Sequence, residues 1–292
     1  MSTRPDDARL RVGVIGAGRV GAVLGAALTR AGHPVVAVSA VSEDSRGRAE
    51  ALLPGSEVVE PAEVCARASL VLIAVPDDAL PDLVRGLAAV GAFQRGQLVA
   101  HVSGRHGLGV LAPAQGTLPM ALHPAQTFTG TSLDLDRLAG VSFGVTTLDE
   151  LRPIAEMLVL EMGGEPVWVR EEHRALWHAG LAHAANHLVT LVASAQDLLR
   201  QAGAEEPGRV LAPLLNAALE GALRRGDAAL TGPVARGDAG TVAAHLQVIP
   251  DDVRPSYLAL ARLTADRALA TGRLKPEQAE GLLGVLAKGV TA

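Results

Sequence analysis

A stripe of polar side chains in the segment HRALWHAGLAHAANHLVTLVASAQDLLRQ has the means to move a proton. On a helix, at about 100° per residue, one side of this segment carries His183, Asn186, His187 and Thr190. The opposite side is apolar and carries Leu181, Ala184, Leu188, Leu191 and Leu199. A histidine titrates near neutral pH and can donate a proton to an atom that a neighbouring amide orients. We therefore predict Asn186 and His183 as catalytic residues.

Two other readings of these histidines are weighed against proton transfer. His183 and His187 are four residues apart, a spacing that metal ligands on a helix can have. No glutamate lies between them as in His-Glu-x-x-His, and no third ligand is near in sequence, so no metal is predicted. His178 falls near the apolar side, where a buried structural histidine is its simplest interpretation. It could still face a cleft at the start of the helix, and it is the second candidate proton donor.

Further polar groups follow predicted strands of a sheet. Ser103 in HVSG and His123 in HPAQTF are each predicted to come directly after a strand at one edge of that sheet, so both are candidate catalytic residues. Ser103 is also a candidate cofactor contact. Thr127 is a candidate for holding the substrate. The alternative for Ser103 and His123 is an ordinary loop hydrogen bond. Val75 and Pro76 end another strand and are candidate cofactor contacts, whereas Asp77 or Asp78 is predicted to cap the next helix.

A glycine-rich turn near the amino terminus indicates a dinucleotide site. The segment LRVGVIGAGRVGAVLGAALTRAGHPVVAVSA runs from an apolar strand through glycines into a helix and then to a second strand. The first glycine allows the tight turn, the second lets the backbone approach a pyrophosphate, and the third lets helix and strand pack closely. Helix amide groups then face the phosphates. The predicted cofactor-binding residues of this turn are Gly16, Ala17, Gly18, Arg19, Val20 and Gly21.

The end of the second strand favours NADP over NAD. NAD sites usually place an acidic residue there for the ribose hydroxyls. This chain has Ser39-Ala40-Val41-Ser42, followed by Arg46 and Arg48. We predict Ser39, Ser42 and Arg46 as cofactor contacts. The alternative is that the two arginines only cover an exposed helix.

The segment LTGPVARGD, residues 230–238, is a cluster of turn formers between two Ala/Leu-rich stretches. Its Arg-Gly-Asp tripeptide is a poor cell-attachment signal, because a cytosolic protein has no use for one. The residue types predict that Gly232-Pro233 ends one helix, that Gly237 takes an unusual backbone angle, and that Asp238 caps the next helix.

The alternation of strands and helices predicts an α/β fold. Apolar strands at 12–15, 35–38, 70–75, 98–101, 141–146 and 167–169 alternate with helical stretches such as 79–90 and 148–162. This pattern is typical of a doubly wound, mostly parallel Rossmann sheet, with antiparallel additions near its end. From Glu171 onward the chain is predicted to be all helix. We therefore predict an NADP-binding domain over 1–170 and a helical substrate and dimerisation domain over 171–292.

Composition excludes several classes of protein. The net charge of −5 and an aromatic content of 2% argue against nucleic-acid binding and against an anionic membrane. The single cysteine, Cys65, excludes an internal disulfide and fits a reducing cytosol, and no apolar run is long enough for a membrane span. Lysine occurs only at Lys275 and Lys288, and Tyr257 is the only tyrosine, followed at 261 by alanine. A Tyr-x-x-x-Lys mechanism is therefore excluded.

Over nearly its whole length the chain resembles Rossmann-type oxidoreductases that include ketopantoate reductases, pyrroline-5-carboxylate reductases and 3-hydroxyacid dehydrogenases. It is most similar to bacterial relatives with a Rossmann-like domain followed by a domain of unknown function. HVSG (101–104), HPAQTF (123–128), HAANHL (183–188) and LTGPVARGD (230–238) carry the resemblance. It implies a cytoplasmic, commonly dimeric enzyme whose first long helix bears catalytic side chains. It also implies that Thr231, Arg236 and Asp238 border the substrate cleft.

The chain departs from this group at one position. Hydroxyacid dehydrogenases and ketopantoate reductases use a lysine four residues before the helix asparagine, and Ala182 stands there in this chain. His183 is the nearest substitute on that face. The resemblance implies an NADPH-dependent reductase of a small carboxylate-bearing carbonyl compound, a 2-keto acid of the ketopantoate type. An imine reductase of the pyrroline-5-carboxylate type and a non-catalytic NADP sensor are the alternatives.

Overall fold

The computed structural model describes residues 9–289, and its first part is built on one eight-stranded sheet. The strands are β1 (Val12–Ile15), β2 (Val35–Ser39), β3 (Glu57–Val58), β4 (Leu70–Ile73), β5 (Leu98–His101), β6 (Leu118–Pro124), β7 (Ser142–Thr147) and β8 (Glu165–Trp168). Their order across the sheet is β3-β2-β1-β4-β5-β6-β7-β8. The order reverses between β1 and β4, where ligands of open α/β sheets bind.

The sheet is parallel from β3 to β6, and β7 pairs with β6 in the antiparallel sense. β8 is parallel to β7. The predicted mostly parallel sheet with late antiparallel additions is confirmed. One position was wrong: His123 does not follow its strand but is the last residue but one of β6. Its ring still stands at the carboxyl edge, because β6 runs parallel to β5.

Helices cover both faces of the sheet. They are α1 (Arg19–Arg30), α2 (Glu43–Leu52), α3 (Pro61–Arg67), α4 (Leu80–Ala89), α5 (Leu133–Arg137) and α6 (Arg152–Glu161). α1 buries eight consecutive residues, Gly21 to Leu28. Two apolar cores result: one includes α1 and α6, and the other includes α3 and α4. The strands between them are apolar on both sides, as buried parallel strands are.

The rest of the chain is helical, as predicted. Its helices are α7 (Arg174–Gln201), α8 (Pro207–Arg225), α9 (Pro233–Arg236), α10 (Ala239–Val248), α11 (Arg254–Ala270) and α12 (Pro276–Lys288). Their core is formed by α9 to α12. By internal contacts the chain divides into two units, Met1–Ala185 and Asn186–Ala292, with the division inside α7. The boundary predicted at residue 170 lies two residues after the end of β8.

Three turn and cap predictions were wrong. Gly232 and Pro233 do not end a helix but begin α9, as its N-cap and first residue. Asp238 occupies the N-cap position of α10 without a capping bond, because its carboxylate accepts two hydrogen bonds from Arg236. The N-cap of α4 is Ala79, without a side-chain capping bond. Gly237, at φ +77°, does have the predicted left-handed backbone.

The middle of α7 does not bury its apolar side within this chain. Residues 183–191 are all exposed, on the polar and the apolar side alike. Leu188, Val189 and Leu191 expose 41%, 70% and 47% of their surface. A helix that presents this much apolar surface is typical of a protein–protein interface.

Candidate cofactor and catalytic site

The glycine turn has the geometry that its sequence predicts. Gly16 has φ +97°, and the Ser39 carbonyl accepts hydrogen bonds from the amides of Gly16 and Ala17 at 3.1 and 3.0 Å. A Cβ on Gly21 would lie 2.1 Å from the Gly16 carbonyl oxygen. The turn and α1 therefore pack so closely that only glycine fits at position 21.

The start of α1 can accept a phosphate group. Its N-cap is Gly18, with no side-chain capping bond, and its first turn carries no acidic residue. A Cβ on Gly18 would meet no atom within 4 Å. Backbone amides at such a helix start favour anions, so this open space fits a pyrophosphate. Val75 lies beside it, since its Cγ1 is 3.2 Å from the position of a Cβ on Gly16.

Two arginines lie together near the proposed ribose end of the site. A Cβ on Gly130 would lie 3.0 Å from both Arg19 Cγ and Arg48 Nε. Ser42 caps α2, with its Oγ accepting the Ser45 amide at 3.1 Å. Arg46 is exposed on α2, whereas the Arg48 side chain is three-quarters buried. The geometry therefore singles out Arg48, beside Arg19, more than Arg46.

At the carboxyl edge of β6, His123 and His178 form a pair. Their rings meet edge to face with centroids 5.6 Å apart. Trp177 Nε1 donates to His123 Nδ1 at 3.1 Å. Because Nδ1 accepts, Nε2 carries the proton in neutral His123 and can donate a hydrogen bond. Gly104 lets both rings approach, since a Cβ there would lie 2.6 Å from His178 Cδ2 and 2.9 Å from His123 Nε2.

Ser103 is buried in the loop that follows β5. Its Oγ accepts the His106 amide at 3.1 Å, and its own amide donates to His101 Nδ1 at 3.2 Å. His101 Nε2 in turn donates to the Gly107 carbonyl at 3.0 Å. The Ser103 hydroxyl thus holds its own turn and keeps its proton for one further hydrogen bond.

Arg174, the first residue of α7, fixes this loop to the sheet. Its side chain is 1% exposed. Its guanidinium donates to the carbonyls of His106 at 3.0 Å, Gly144 at 2.8 Å and Ser103. Glu171, one turn earlier, accepts the amides of Leu108 and Gly109 at 2.7 and 3.0 Å. Glu171 and Arg174 therefore both hold the loop that follows β5 by hydrogen bonds to its backbone.

Burial controls the charge of two histidines here. It lowers the pKa of His101 and of His123 to about 4, and the positive charge of Arg174 adds to the effect. Both rings are therefore neutral at physiological pH. His123 can act as a hydrogen-bond donor through Nε2–H, but it cannot serve as a charged acid.

We expect the free energy of unfolding to fall as the pH drops from about 6.5 towards 4. The unfolded chain binds protons at His101 and His123 from pH 6.5 downwards, while the folded chain resists until about 4. At pH 5 the loss should be roughly 2 kcal/mol for each histidine. Urea unfolding at pH 7.5 and 5 measures it. His123→Gln should reduce the pH dependence and His173→Gln, on an exposed ring, should not; an equal effect of both variants would refute this assignment.

Other predicted site residues lie further along α7, after β6 and in the second unit. His183 is exposed on α7 in the first unit, and Asn186 and His187 are exposed on α7 in the second. Thr127 is exposed after β6. In the second unit Thr231 lines a cavity, while Arg236 and Asp238 form an ion pair with a shortest N–O distance of 2.8 Å. Arg236 is thus engaged by a carboxylate of its own loop.

The sequence interpretation missed Arg174 and Trp177. Both lie in the first turns of α7. Arg174 is four residues before His178 and Trp177 is one residue before it, so all three are close to Gly104 and His123. A buried arginine is rare enough that its type alone predicts exposure. The available signal was that Arg174 is four residues before His178, a spacing that puts both on the same face of a helix.

The described part of the chain has neither a metal-ligand cluster nor a membrane-spanning helix. Among residues 9–289, no group of three or more His, Cys, Asp or Glu side chains could hold a metal ion. Over the same range, no helix combines the length and apolar character needed to cross a bilayer.

Comparisons with known proteins agree with this architecture. Residues 2–124 match a Rossmann-like domain and residues 141–264 match a domain of unknown function, DUF2520. No curated protein matches the chain. Among solved structures, a Bacteroides fragilis protein described as a candidate NADP oxidoreductase has a TM-score of 0.76 at 22% identity, over 88% of this chain and 98% of its own.

Two further structures share the fold. Pyrroline-5-carboxylate reductase of Streptococcus pyogenes has a TM-score of 0.61 at 14% identity, over 89% of this chain and 98% of its own. An imine reductase from a Pseudomonas species has a TM-score of 0.62 at 18% identity, over 97% and 99%. The chain therefore shares the fold of these three proteins.

Proposed function

We propose that this chain, a Rossmann-like domain followed by a DUF2520 domain, is a cytoplasmic NADPH-dependent reductase of a small carboxylate-bearing carbonyl compound, a 2-keto acid of the ketopantoate type. The observation that carries the proposal is the shared edge of the sheet. The glycine turn follows β1, and the His123–His178 pair stands at the end of β6, three strands away in the order β1-β4-β5-β6. At about 4.8 Å per strand that is roughly 14 Å.

Each group has a defined task in this proposal. NADPH, when bound, supplies a hydride to the substrate carbonyl carbon. The amides at the start of α1 hold its pyrophosphate. His123 Nε2–H and the hydroxyls of Ser103 and Thr127 donate hydrogen bonds to the substrate carboxylate. His178 donates the proton to the carbonyl oxygen, which yields a hydroxy acid, and Asn186 orients that oxygen.

His178 is preferred to His183 as proton donor because of its surroundings. Its ring packs on Gly104 and against His123 at the sheet edge. His183 lies five residues further along α7, at an exposed position. Thr231 and Arg236 are assigned to the substrate, with Asp238 orienting Arg236. These assignments rest on the resemblance of the segment LTGPVARGD to the Rossmann-type oxidoreductases named above.

Turnover of NADPH with small 2-keto acids and cyclic imines tests the proposal, with NADH in parallel. We expect one keto acid to be reduced, and Asn186→Ala and His178→Ala to slow kcat by about 10²- to 10⁴-fold. The matched control His173→Ala, on an exposed ring, should retain full activity. Binding of NADPH without turnover of any compound would instead support a non-catalytic sensor.

An imine substrate is the second candidate, and one residue favours it. Ala182 stands where keto-acid enzymes of this resemblance carry a lysine. The same panel separates the two candidates. Preferential turnover of a cyclic imine would replace the keto acid in the proposal and leave the NADPH site unchanged.

We expect Arg48→Gln to raise the KM for NADPH about tenfold or more and to leave the KM for NADH unchanged. Arg48, beside Arg19, offers a charge to the 2′-phosphate, and a charge-assisted hydrogen bond of this kind is worth about 1.5–3 kcal/mol. Steady-state kinetics with both nucleotides measure the effect. Arg85→Gln, on α4, is the control. A larger effect of Arg46→Gln than of Arg48→Gln would contradict the choice between the two arginines.

We propose a homodimer formed through α7, with no nucleic acid or membrane as partner. Exposed Leu188, Val189 and Leu191 support it, since monomers rarely expose such contiguous apolar surface. We expect a dimer by light scattering that Val189→Glu converts to a monomer. Val90→Glu, at an equally exposed valine (71%) next to α4, should remain dimeric. A wild-type monomer would refute this interface.

A further inference from the structure

The helical unit contains a cavity of about 420 Å³, and of the residues that line it only Thr231 has a part in the proposed reaction. It lies between the second half of α7, residues 231–234, α10 and α11. Apolar side chains form most of its wall, among them Leu191, Leu198, Val234 and Leu260. Its size falls in the range of small-molecule sites, which begin at about 300 Å³.

The residues that line this cavity include no aspartate, glutamate, lysine or arginine. Moving a charged group from water into such surroundings without a partner is costly. Its surroundings therefore select against carboxylates and phosphates. They differ in this from the sheet edge, which offers hydrogen-bond donors to an anion.

The lining also has polar side chains, and two of them, His245 and Tyr257, form a hydrogen-bonded pair; the others are the hydroxyls of Ser194, Thr231, Ser256 and Thr264. The Tyr257 hydroxyl and His245 Nδ1 are 2.8 Å apart, and both residues line the cavity. Burial raises the pKa of Tyr257, so the phenol keeps its proton. When that proton is donated to Nδ1, the Tyr257 oxygen can still accept a hydrogen bond and His245 Nε2–H can donate one. The pair thus provides one acceptor and one donor side by side.

We propose that this cavity binds an uncharged, mainly hydrocarbon molecule with a single carbonyl or hydroxyl oxygen, and that His245 and Tyr257 bind the oxygen. An apolar pocket with a few convergent polar groups is the usual design of a small-molecule site. This ligand is uncharged and therefore differs from the carboxylate substrate, and the inference uses no contact of Thr231, the one lining residue that is assigned to that substrate.

The only tyrosine of the chain makes a direct test available. In protein labelled with ¹³C-tyrosine, the NMR spectrum contains the ring resonances of Tyr257 alone. Decalone, an uncharged bicyclic ketone, is titrated against it, with decalin carboxylate as the anionic counterpart. We expect decalone to shift the Tyr257 resonance saturably and the carboxylate to leave it unchanged.

Variants locate the binding. Ala195→Phe should fill the cavity and abolish the decalone shift, whereas Ala193→Phe, on the same helix but outside the lining, should preserve it. His245→Leu should weaken decalone binding about tenfold, the loss of one hydrogen bond. Circular dichroism establishes that each variant is folded.

Three results would overturn the inference. One is a wild-type spectrum that decalone does not shift, including the case in which a second copy of the chain fills the cavity. Another is an equal response to the carboxylate. The third is a folded Ala195→Phe variant that binds decalone as well as wild type does.

Discussion

The Gly18→Ala variant should lose NADPH binding and keep its fold. A Cβ at position 18 meets no protein atom within 4 Å, so the ligand-free chain can accommodate alanine. A pyrophosphate bound at the start of α1 would need that same space. We expect the dissociation constant for NADPH to rise at least about a hundredfold, or roughly 2.7 kcal/mol. The free energy of unfolding without nucleotide should change by less than about 0.5 kcal/mol.

Two other glycines give this experiment its controls. In Gly21→Ala the new Cβ would lie 2.1 Å from the Gly16 carbonyl oxygen, so both binding and stability should fall. Gly86→Ala on α4 has open space and no ligand nearby, so it should leave NADPH binding unchanged, and inside a helix it should stabilise the fold by about 0.5–1 kcal/mol. NADPH titration and urea unfolding of the three variants give both quantities. Normal NADPH affinity in a folded Gly18→Ala variant would exclude the pyrophosphate from this turn.

Replacing Arg174 by methionine should destabilise the protein by about 3 kcal/mol. The carbonyls of Ser103, His106 and Gly144 would lose their donors, at about 1–3 kcal/mol for each group left unsatisfied. Relief of the desolvation cost of the buried guanidinium offsets part of this loss. Arg174→Lys should be intermediate, because an ammonium cannot reproduce the planar fork.

The same substitution should also alter the site. Without Arg174 the Ser103 loop loses its bonds to α7, and the histidines lose a nearby positive charge. We expect the pKa of His123 in Arg174→Met to rise above its value of about 4 in wild type, as followed by NMR of labelled histidine. Arg170→Met removes an exposed arginine from the same segment as a control. A methionine variant as stable as wild type would mean that the desolvation cost fully cancels the three hydrogen bonds.

The parts of the fold that follow from local rules were predictable from the sequence. Two of the predicted glycines meet local steric requirements, because Gly16 has a left-handed backbone at φ +97° and a Cβ on Gly21 would lie 2.1 Å from the Gly16 carbonyl oxygen. The predicted bounds of β5, 98–101, agree with the structure, because a short apolar run between turns has few other interpretations. β6 was harder, since Pro119 and Pro124 interrupt its strand pattern.

What depends on distant contacts could not be read from local sequence. Asp238 has the residue type of a helix cap, but Arg236 competes for its carboxylate. Arg174 is buried only because three carbonyls from two other segments converge on it. Nothing in the local sequence distinguishes Trp177 from other helix residues, and its hydrogen bond to His123 depends on the fold. The exposed apolar side of α7 looked like a buried face in sequence.

The most direct test of the account follows the hydride itself. The protein is incubated with NADPH deuterated at C4 of the nicotinamide and with the keto acid or imine that the panel identifies, and the product is analysed by mass spectrometry. We expect a hydroxy acid or amine that carries one deuterium on the former carbonyl or imine carbon, and no such product from the Gly18→Ala variant. A product without deuterium, or bound NADPH that reduces no compound, would contradict this expectation.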